Sequence, residues 1–155
     1  MRTFVQLREV TVPDLGTLYE QQAETEANDM AAFPARDEDA FAAHWRTIMA
    51  DPANILRTII VGDEIAGNIV SWDNEGKREV GYWIGKAYWG RGIATAALAQ
   101  ILDTVKTRPL YAHVANHNAG SIRVLEKCGF AFAGTDVGAP YRSNQPVHEL
   151  VFELR

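Results

Sequence analysis

The sequence predicts an α/β fold in which helices pack on one mixed, mostly antiparallel sheet. Three consecutive apolar runs are separated by the turn sequences Gly-Asp at 62–63 and Asp-Asn-Glu-Gly at 73–76, which is typical of an antiparallel meander. Beyond the meander the apolar residues change from strand-like to helical spacing, and segments of the two kinds then alternate. A sheet covered by helices follows from that order.

The first part of the chain predicts one strand and two helices. Residues 3–8 alternate, with Val5 and Leu7 on one face, and form the first strand. Because proline is tolerated in the first turn of a helix, a helix is predicted from about Pro13 towards Asn28. Asp37 begins a second helix, which runs to about residue 49.

The rest of the chain predicts more strands, with two helices between them. In chain order the segments are strands 56–61, 65–72 and 79–84, a helix over 93–105, a strand over 110–114, a helix over 118–128, and strands 130–137 and 147–154. The first of these helices ends before Pro109, and Gly129 stops the second. The predicted order is β-α-α-β-β-β-α-β-α-β-β.

Length and composition exclude several classes of protein. The 155 residues suit a single domain over 1–155, and 47% hydrophobic with 23% charged residues is ordinary for a globular protein. Fifteen Lys and Arg against 20 Asp and Glu give a net charge of −5, without the basic face that nucleic-acid binding requires. No segment approaches the roughly 18 to 20 apolar residues of a membrane span. With one cysteine, Cys128, and no signal-peptide pattern, the sequence predicts a cytoplasmic protein.

The most informative segment runs from Tyr82 to Thr95, where a strand leads through a glycine-containing turn directly into a helix. Gly90 and Gly92 let the backbone approach a ligand without a Cβ in the way. The first N–H groups of the helix are unpaired and lie at the positive end of its dipole, so the turn suits an anion. Arg91 adds a positive charge and Thr95 a hydroxyl, and a pyrophosphate fits this set.

Other interpretations of this turn require different neighbours. A nucleoside-triphosphate P-loop is excluded because no Gly-Lys-Ser/Thr follows at the required spacing. A dinucleotide-binding fingerprint needs a third small residue, where Thr95 stands, and an acidic partner about 20 residues on, where residues 111–116 contain none. Glycines that only cap a surface helix are a further interpretation, which the turn alone leaves open.

A second distinctive run, from Asn116 to Phe130, follows one helix and one strand later. Together the two runs resemble the cofactor motif of the GNAT superfamily of N-acetyltransferases and the helix-plus-strand motif after it, over about residues 79–130. The wording Asn-x-x-Ser and Leu-Glu-Lys-x-Gly-Phe is most similar to the RimJ/RimL-type branch, that of the ribosomal-protein N-terminal acetyltransferases. The resemblance implies the GNAT fold, a twisted sheet with helices on both faces and two splayed parallel central strands.

The resemblance also implies acetyl-CoA (CoA) as co-substrate. The pantetheine arm would lie between the splayed strands, the turn would hold the pyrophosphate, and Asn118 would bind the arm near the thioester, although it also fits a helix N-cap. The implied cofactor-binding residues are Trp83, Ile84, Trp89, Gly90, Arg91, Gly92, Ile93, Ala94, Thr95 and Asn118. The histidines show no metal-ligand spacing, so no metal is expected.

By the same resemblance the catalytic residues are Glu79 and Ser121. Glu79 begins the strand that leads to the turn and would take the amine proton directly or through a water, a solvated strand-edge carboxylate being the alternative. The family's usual proton donor to the thiolate is a Tyr just before the Glu-Lys pair, where this chain has Leu125. Ser121 is the substitute on the same helix, and capping is the other role that fits it. Trp89 is a second departure, because many members carry Gln or Arg there.

Substrate specificity is expected in residues 23–40 and in the loop 138–147, which contains Tyr141 and Arg142. Several acidic residues in the first segment would favour a cationic acceptor such as a polyamine, an aminoglycoside or a peptide α-amine. A solvated surface is the simpler explanation of those acids.

The sequence therefore predicts an acetyl-CoA-dependent N-acetyltransferase that acts on a small-molecule or peptide primary amine by direct attack in a ternary complex. A non-catalytic acyl-CoA-binding module is the alternative that Leu125 keeps open. A nicotinamide-dependent dehydrogenase is a third hypothesis, against which the missing acidic partner counts. Because exposed edge strands can pair between copies, a homodimer is also left open.

Overall fold

In the computed structural model, which describes residues 4–138, 141 and 145–155, the chain forms a seven-stranded sheet with helices on both faces. The strands in these ranges are β1 (Val5–Glu9), β2 (Ile55–Val61), β3 (Glu64–Asn74), β4 (Lys77–Ile84), β5 (Leu110–Ala115), β6 (Ala131–Gly138) and β7 (Val147–Leu154). The helices are α1 (Leu15–Ala23), α2 (Thr25–Ala31), α3 (Glu38–Met49), α4 (Ile93–Ile101) and α5 (Ala119–Lys127). The predicted strands are all present, and the predicted start of the first, residue 3, lies outside the described residues.

The sheet is mixed and mostly antiparallel, in the strand order β1-β2-β3-β4-β5-β7-β6. Strands β4 and β5 form its parallel pair, which holds only two register positions, Arg78 with Leu110 and Glu79 with Tyr111. Strand β4 continues beyond Glu79 to Ile84, where it stays paired with β3 but no longer with β5. The two central parallel strands therefore splay apart, which confirms the predicted fold class.

Each face of the sheet carries its own hydrophobic cluster. Neighbouring residues of a strand point to opposite faces, and on β3 Ile69 packs in one cluster while Val70 packs in the other. Helices α4 and α5 cover the first face, where Leu98 and Leu125 are buried. Helices α1 and α3 cover the second face through Leu18, Phe41, Trp45 and their neighbours.

The prediction of one helix from Pro13 to Asn28 is wrong, because the segment forms a single 3₁₀ turn at Val12–Asp14 and then two helices. The chain is extended at Glu24, with φ −69° and ψ 125°. The Glu24 carboxylate accepts hydrogen bonds from the backbone N–H groups of Glu26, at 3.1 Å, and Ala27, at 2.7 Å. Glu24 therefore ends α1 and caps α2, a break that no glycine or proline marks in the sequence.

Helix α4 is shorter than predicted, ending at Ile101 rather than at residue 105. The residues after Ile101 continue in turns, and the backbone N–H of Val105 donates to the Ile101 carbonyl at 2.8 Å. Val105 is still buried in the core. Val105 was predicted to lie on the apolar face of the helix. A turn that follows the helix buries its side chain equally well.

A buried carboxylate joins β1, β2 and the start of α1. The Arg8 guanidinium donates to both Asp14 oxygens, at 2.7 and 2.8 Å, and the Thr58 hydroxyl donates to Oδ2 at 2.8 Å. The Thr11 backbone N–H donates to the same oxygen. These hydrogen bonds hold the pKa of Asp14 well below its usual range. The bond from Arg8 has the largest effect, and burial acts in the opposite direction.

Asp14→Ala should lower the free energy of unfolding by about 2–3 kcal/mol, because Thr58 loses its buried acceptor and Arg8 its partner. A carboxylate whose pKa is depressed by folding contributes stability that is present above its unfolded pKa of about 4 and is lost at lower pH. Urea unfolding of wild type and variant should therefore differ at neutral pH and converge in acid. Asp103→Ala, at an exposed turn, is the control and should change stability by no more than about 0.5 kcal/mol. Equal losses in both variants would contradict this role of Asp14.

Candidate functional site

A groove of about 650 Å³ opens where β4 and β5 diverge. Its walls come from the end of β4, helix α2, the turn before α4 with the first residues of α4, and one side of α5. All the predicted cofactor-binding residues except Arg91 line it, and so does Ser121. Arg91 instead packs its guanidinium over the Tyr88 ring, 5.5 Å from the ring centroid.

The glycine turn forms one end of this groove. Gly90 and Gly92 have φ values of 75° and 73°, in the left-handed region that glycine enters without strain. Gly92 is the N-cap of α4, and no side chain caps the helix there. The first N–H groups of α4 have no acceptor within the helix, and Ile93, Ala94 and Thr95 all line the groove. The turn therefore presents backbone donors and a positive helix end to whatever fills the groove.

Two tryptophans fix the strand wall of the groove. The Trp83 indole N–H donates to the Gln21 carbonyl at 3.0 Å, and the Trp89 indole N–H donates to the Ile84 carbonyl at 2.9 Å. Ile84 therefore has its carbonyl already engaged by a residue of the turn. Gly67 on β3 allows this arrangement, because a Cβ at that position would collide with the Trp83 carbonyl oxygen.

Helix α5 supplies the opposite wall. The Asn118 side-chain oxygen accepts the Ser121 backbone N–H at 3.2 Å, so Asn118 caps α5 and also lines the groove. The Ser121 hydroxyl is 2.7 Å from the Tyr82 hydroxyl, which reaches it from β4. Burial raises the pKa of Tyr82 to about 12, although the bond with Ser121 acts to lower it. Two hydroxyl groups thus meet between the two walls.

Tyr82 lines the groove, although it was not predicted to bind the cofactor or to act in catalysis. It shares one face of β4 with Val80 and Ile84, and all three pack against the cluster under α4 and α5. Period-two alternation from Ile84 would have placed Tyr82 on the same face. Its partner, Ser121, lies 39 positions away in the sequence, so no local pattern relates the two.

Glu79 is buried but lies outside the groove lining. It is 7% exposed, which excludes the solvated strand-edge alternative. The Asn74 amide donates to its Oε2 at 2.7 Å, and His113 Nε2 lies 3.5 Å from its Oε1. By strand alternation Glu79 faces the side of the sheet opposite Tyr82.

His113 lies at the centre of an acidic cluster on that side. Its Nδ1 is 3.7 Å from a carboxylate oxygen of Glu149 and 3.9 Å from one of Asp136. Burial raises the pKa of Glu149, while His113 acts to lower it. These ionic neighbours of His113 could not be predicted from the sequence, because the three carboxylates come from three other strands.

Two other positions named from the sequence lie in the core around the groove. Leu125, where the family usually has Tyr, is 1% exposed and belongs to the buried cluster. Cys128 is half-buried, and burial raises the pKa of its thiol. A thiol with a raised pKa is a poor nucleophile, and Cys128 packs against the core.

The acidic residues of the first predicted specificity segment have mixed roles. Glu24 and Asp37 cap helices, and Glu26 forms an ion pair with Lys86 at 2.6 Å. Asp29 accepts a hydrogen bond at 2.6 Å from Tyr141, the one described residue between 139 and 144. Arg142 lies outside the described residues. Local structure therefore accounts for part of this acidic segment.

Neither a metal site nor a membrane span is found in the described part of the chain. No group of three or more His, Cys, Asp or Glu side chains there is placed to hold a metal ion. None of the helices in the same ranges has both the length and the apolar composition that crossing a membrane requires.

Comparisons with known proteins point to one family. The model of the acetyltransferase (GNAT) domain matches residues 5–131. Probable N-acetyltransferase YjcK from Bacillus subtilis is 42% identical over 55 residues, which are 33% of this chain and 30% of that protein. The matches to curated relatives cover less than half of those proteins' length.

Solved structures of the same family share the fold over almost the whole chain. A GNAT-family acetyltransferase from Bacillus anthracis superposes with a TM-score of 0.80 at 18% identity, covering 99% of this chain and 96% of that one. Spermidine N-acetyltransferase from Vibrio cholerae, in complex with CoA and spermine, has a TM-score of 0.79 at 19% identity, covering 96% and 95%. At these identities the similarity shows the fold.

Proposed function

This chain belongs to the GNAT acetyltransferase family, and we propose that it transfers an acetyl group from acetyl-CoA to a primary amine by direct attack in a ternary complex. The observation that carries the proposal is the groove between β4 and α5, with the uncapped N-terminus of α4 at one end. A non-catalytic acyl-CoA-binding module would use the same groove, and only turnover separates the two functions.

The lining of the groove suits CoA in shape and charge. A pyrophosphate would accept hydrogen bonds from the free N–H groups of the α4 turn, where Gly90 and Gly92 have no protein atom within 4 Å of a Cβ position. Arg123 and Lys127 add positive charge along α5. The pantetheine arm would then run along Trp83 and Ile84 towards Tyr82, Asn118 and Ser121.

The reaction would need a proton acceptor for the amine and a donor at the departing sulfur. We propose Glu79 as the proton acceptor, because it lies where β4 and β5 begin to diverge. It would act through a water, because it does not line the groove itself. We propose Ser121 as the hydrogen-bond donor to the sulfur, because its hydroxyl lines the groove. A backbone N–H near Ile84 would polarise the thioester carbonyl.

The acceptor is proposed to be cationic before it reacts. Glu79, Asp136 and Glu149 surround His113 on the face of the sheet opposite the groove helices, and carboxylates there would attract an ammonium group. Polyamines, aminoglycosides and peptide α-amines share that charge. The Asn-x-x-Ser motif of the RimJ/RimL-type branch supports the peptide amine, and the structural relative with spermine bound supports the polyamine.

The function is tested by measuring thiol release from acetyl-CoA with spermine, an aminoglycoside and short peptides as separate acceptors. The proposal predicts release that depends on one class of amine and yields an acetylated product by mass spectrometry. Calorimetric binding of acetyl-CoA without release for any amine would favour the non-catalytic module. No binding at all would contradict both.

Gly92→Glu should abolish measurable acetyl-CoA binding, because a carboxylate would stand where the pyrophosphate is expected. Gly76→Glu is the matched control. Gly76 also has a positive φ, 84°, and open space around its Cβ position, but it lies in the β3–β4 turn. Titration calorimetry on both variants separates the backbone strain that they share from the loss of the anion site. Retained affinity in Gly92→Glu would contradict the assignment of the turn.

Glu79→Gln should lower kcat by about 10²- to 10⁴-fold, the usual contribution of a general base, with little change in acetyl-CoA affinity. The amide keeps the shape of the side chain but cannot accept the amine proton. Glu75→Gln, in the exposed turn before β4, is the control. If both variants keep the wild-type kcat, Glu79 is not the base.

A further inference from the structure

Two hydroxyl groups on opposite walls of the groove form a pair, of which only one belongs to helix α5. Tyr82 extends from β4 and Ser121 from α5, and their oxygens are 2.7 Å apart. The Tyr82 hydroxyl is also 3.3 Å from the Ser121 carbonyl oxygen. Both residues line the groove, so the pair lies at its surface rather than deep in the core.

The pair lies beside the position where a phenol is missing from α5. Leu125 follows Ser121 by one helical turn and is fully buried. The helix therefore brings a serine hydroxyl to the groove and no phenol, whereas the strand wall brings the phenol of Tyr82.

Building on the proposed function, we propose that Tyr82 is a positioning residue for departure of the CoA thiolate: its phenol donates to Ser121 Oγ and so directs the Ser121 hydroxyl proton at the leaving sulfur. The phenol has two acceptors within reach, Ser121 Oγ and the Ser121 carbonyl, both on α5. A phenol is a stronger acid than an alcohol, so it is the better donor of the pair. When it donates to Oγ, the serine proton is free to point into the groove.

The step balances without a proton leaving Tyr82. The amine nitrogen bonds to the thioester carbon, the C–S bond breaks, and its electron pair goes to sulfur, which accepts a hydrogen bond from Ser121. The ammonium group of the acceptor first releases one proton to solvent, so that a neutral amine attacks. The attacking amine loses a second proton to the base, and that proton reaches the sulfur through water at the open end of the groove, while Ser121 keeps its own proton. Burial raises the pKa of Tyr82 to about 12, well above the value of about 8.5 for an ordinary cysteine thiol. Tyr82 therefore keeps its proton throughout the neutral range.

The test is a double-mutant cycle with Tyr82→Phe, Ser121→Ala and both together. It is assayed by thiol release from acetyl-CoA with the best amine of the acceptor panel. Each single variant should lose about 10- to 100-fold in kcat, as expected for a hydrogen bond to a developing charge, with the KM for acetyl-CoA within about twofold. The double variant should lose no more than the worse single variant, because the two hydroxyls act as one unit. Tyr19→Phe removes a hydroxyl from α1, outside the groove, and should leave kcat unchanged.

The loss of kcat with an almost unchanged KM is the readout that a merely structural role would not give, and the pH profile tests whether Tyr82 itself gives up its proton. The ratio of wild-type to Tyr82→Phe kcat should stay constant from about pH 6 to about pH 10, because Tyr82 remains protonated there. The proposal would be overturned by any of three results. Tyr82→Phe could keep the wild-type kcat, the losses of the two single variants could multiply in the double variant, or the kcat ratio could fall towards one within that pH range. Should Tyr82→Phe fail to fold, Ser121→Thr must keep most of the activity that Ser121→Ala loses. Wild type that releases no thiol with any amine contradicts the proposed function instead.

Discussion

Strands β4 and β5 pair at only two positions, and their divergence beyond Glu79 is the constraint on which the site depends. The end of β4 stays in the sheet through β3, so one side of it is held while the other faces a gap. Helix α4 follows this strand through the glycine turn, and α5 follows β5, so residues of both helices line the same opening. A ligand in the gap would have strand backbone on one side and helix termini on the other.

The two faces of the sheet around this gap differ in charge. The groove side carries backbone donors of α4 together with Arg123 and Lys127, which complement a phosphate-bearing cofactor. The other side carries Glu79, Asp136 and Glu149 around His113, which complement a cation. An anionic ligand and a cationic ligand would therefore be attracted to different faces of the sheet at this gap.

Much of this arrangement could be predicted from the sequence, because hydrophobic period and glycine position are local signals. The strands and the turn at Gly90 and Gly92 follow from them. The groove residues of β4 and α5 were implied by the resemblance to the GNAT superfamily, and the family model confirms that superfamily. The break at Glu24 was missed because a glutamate cap leaves no glycine or proline in the chain. The Tyr82–Ser121 pair and the carboxylates around His113 were missed because each joins residues from different elements, which only the folded sheet brings together.

Thermal unfolding with acetyl-CoA, CoA or NAD would show whether the gap between β4 and β5 is a CoA site. A ligand at about 100 times its Kd stabilises the native state by about 2.7 kcal/mol. For a domain of this size that raises the Tm by roughly 5–10 °C. We expect such a shift with acetyl-CoA and with CoA, and none with NAD. The absence of a shift with acetyl-CoA and CoA at saturating concentrations, or a shift with NAD alone, would contradict it.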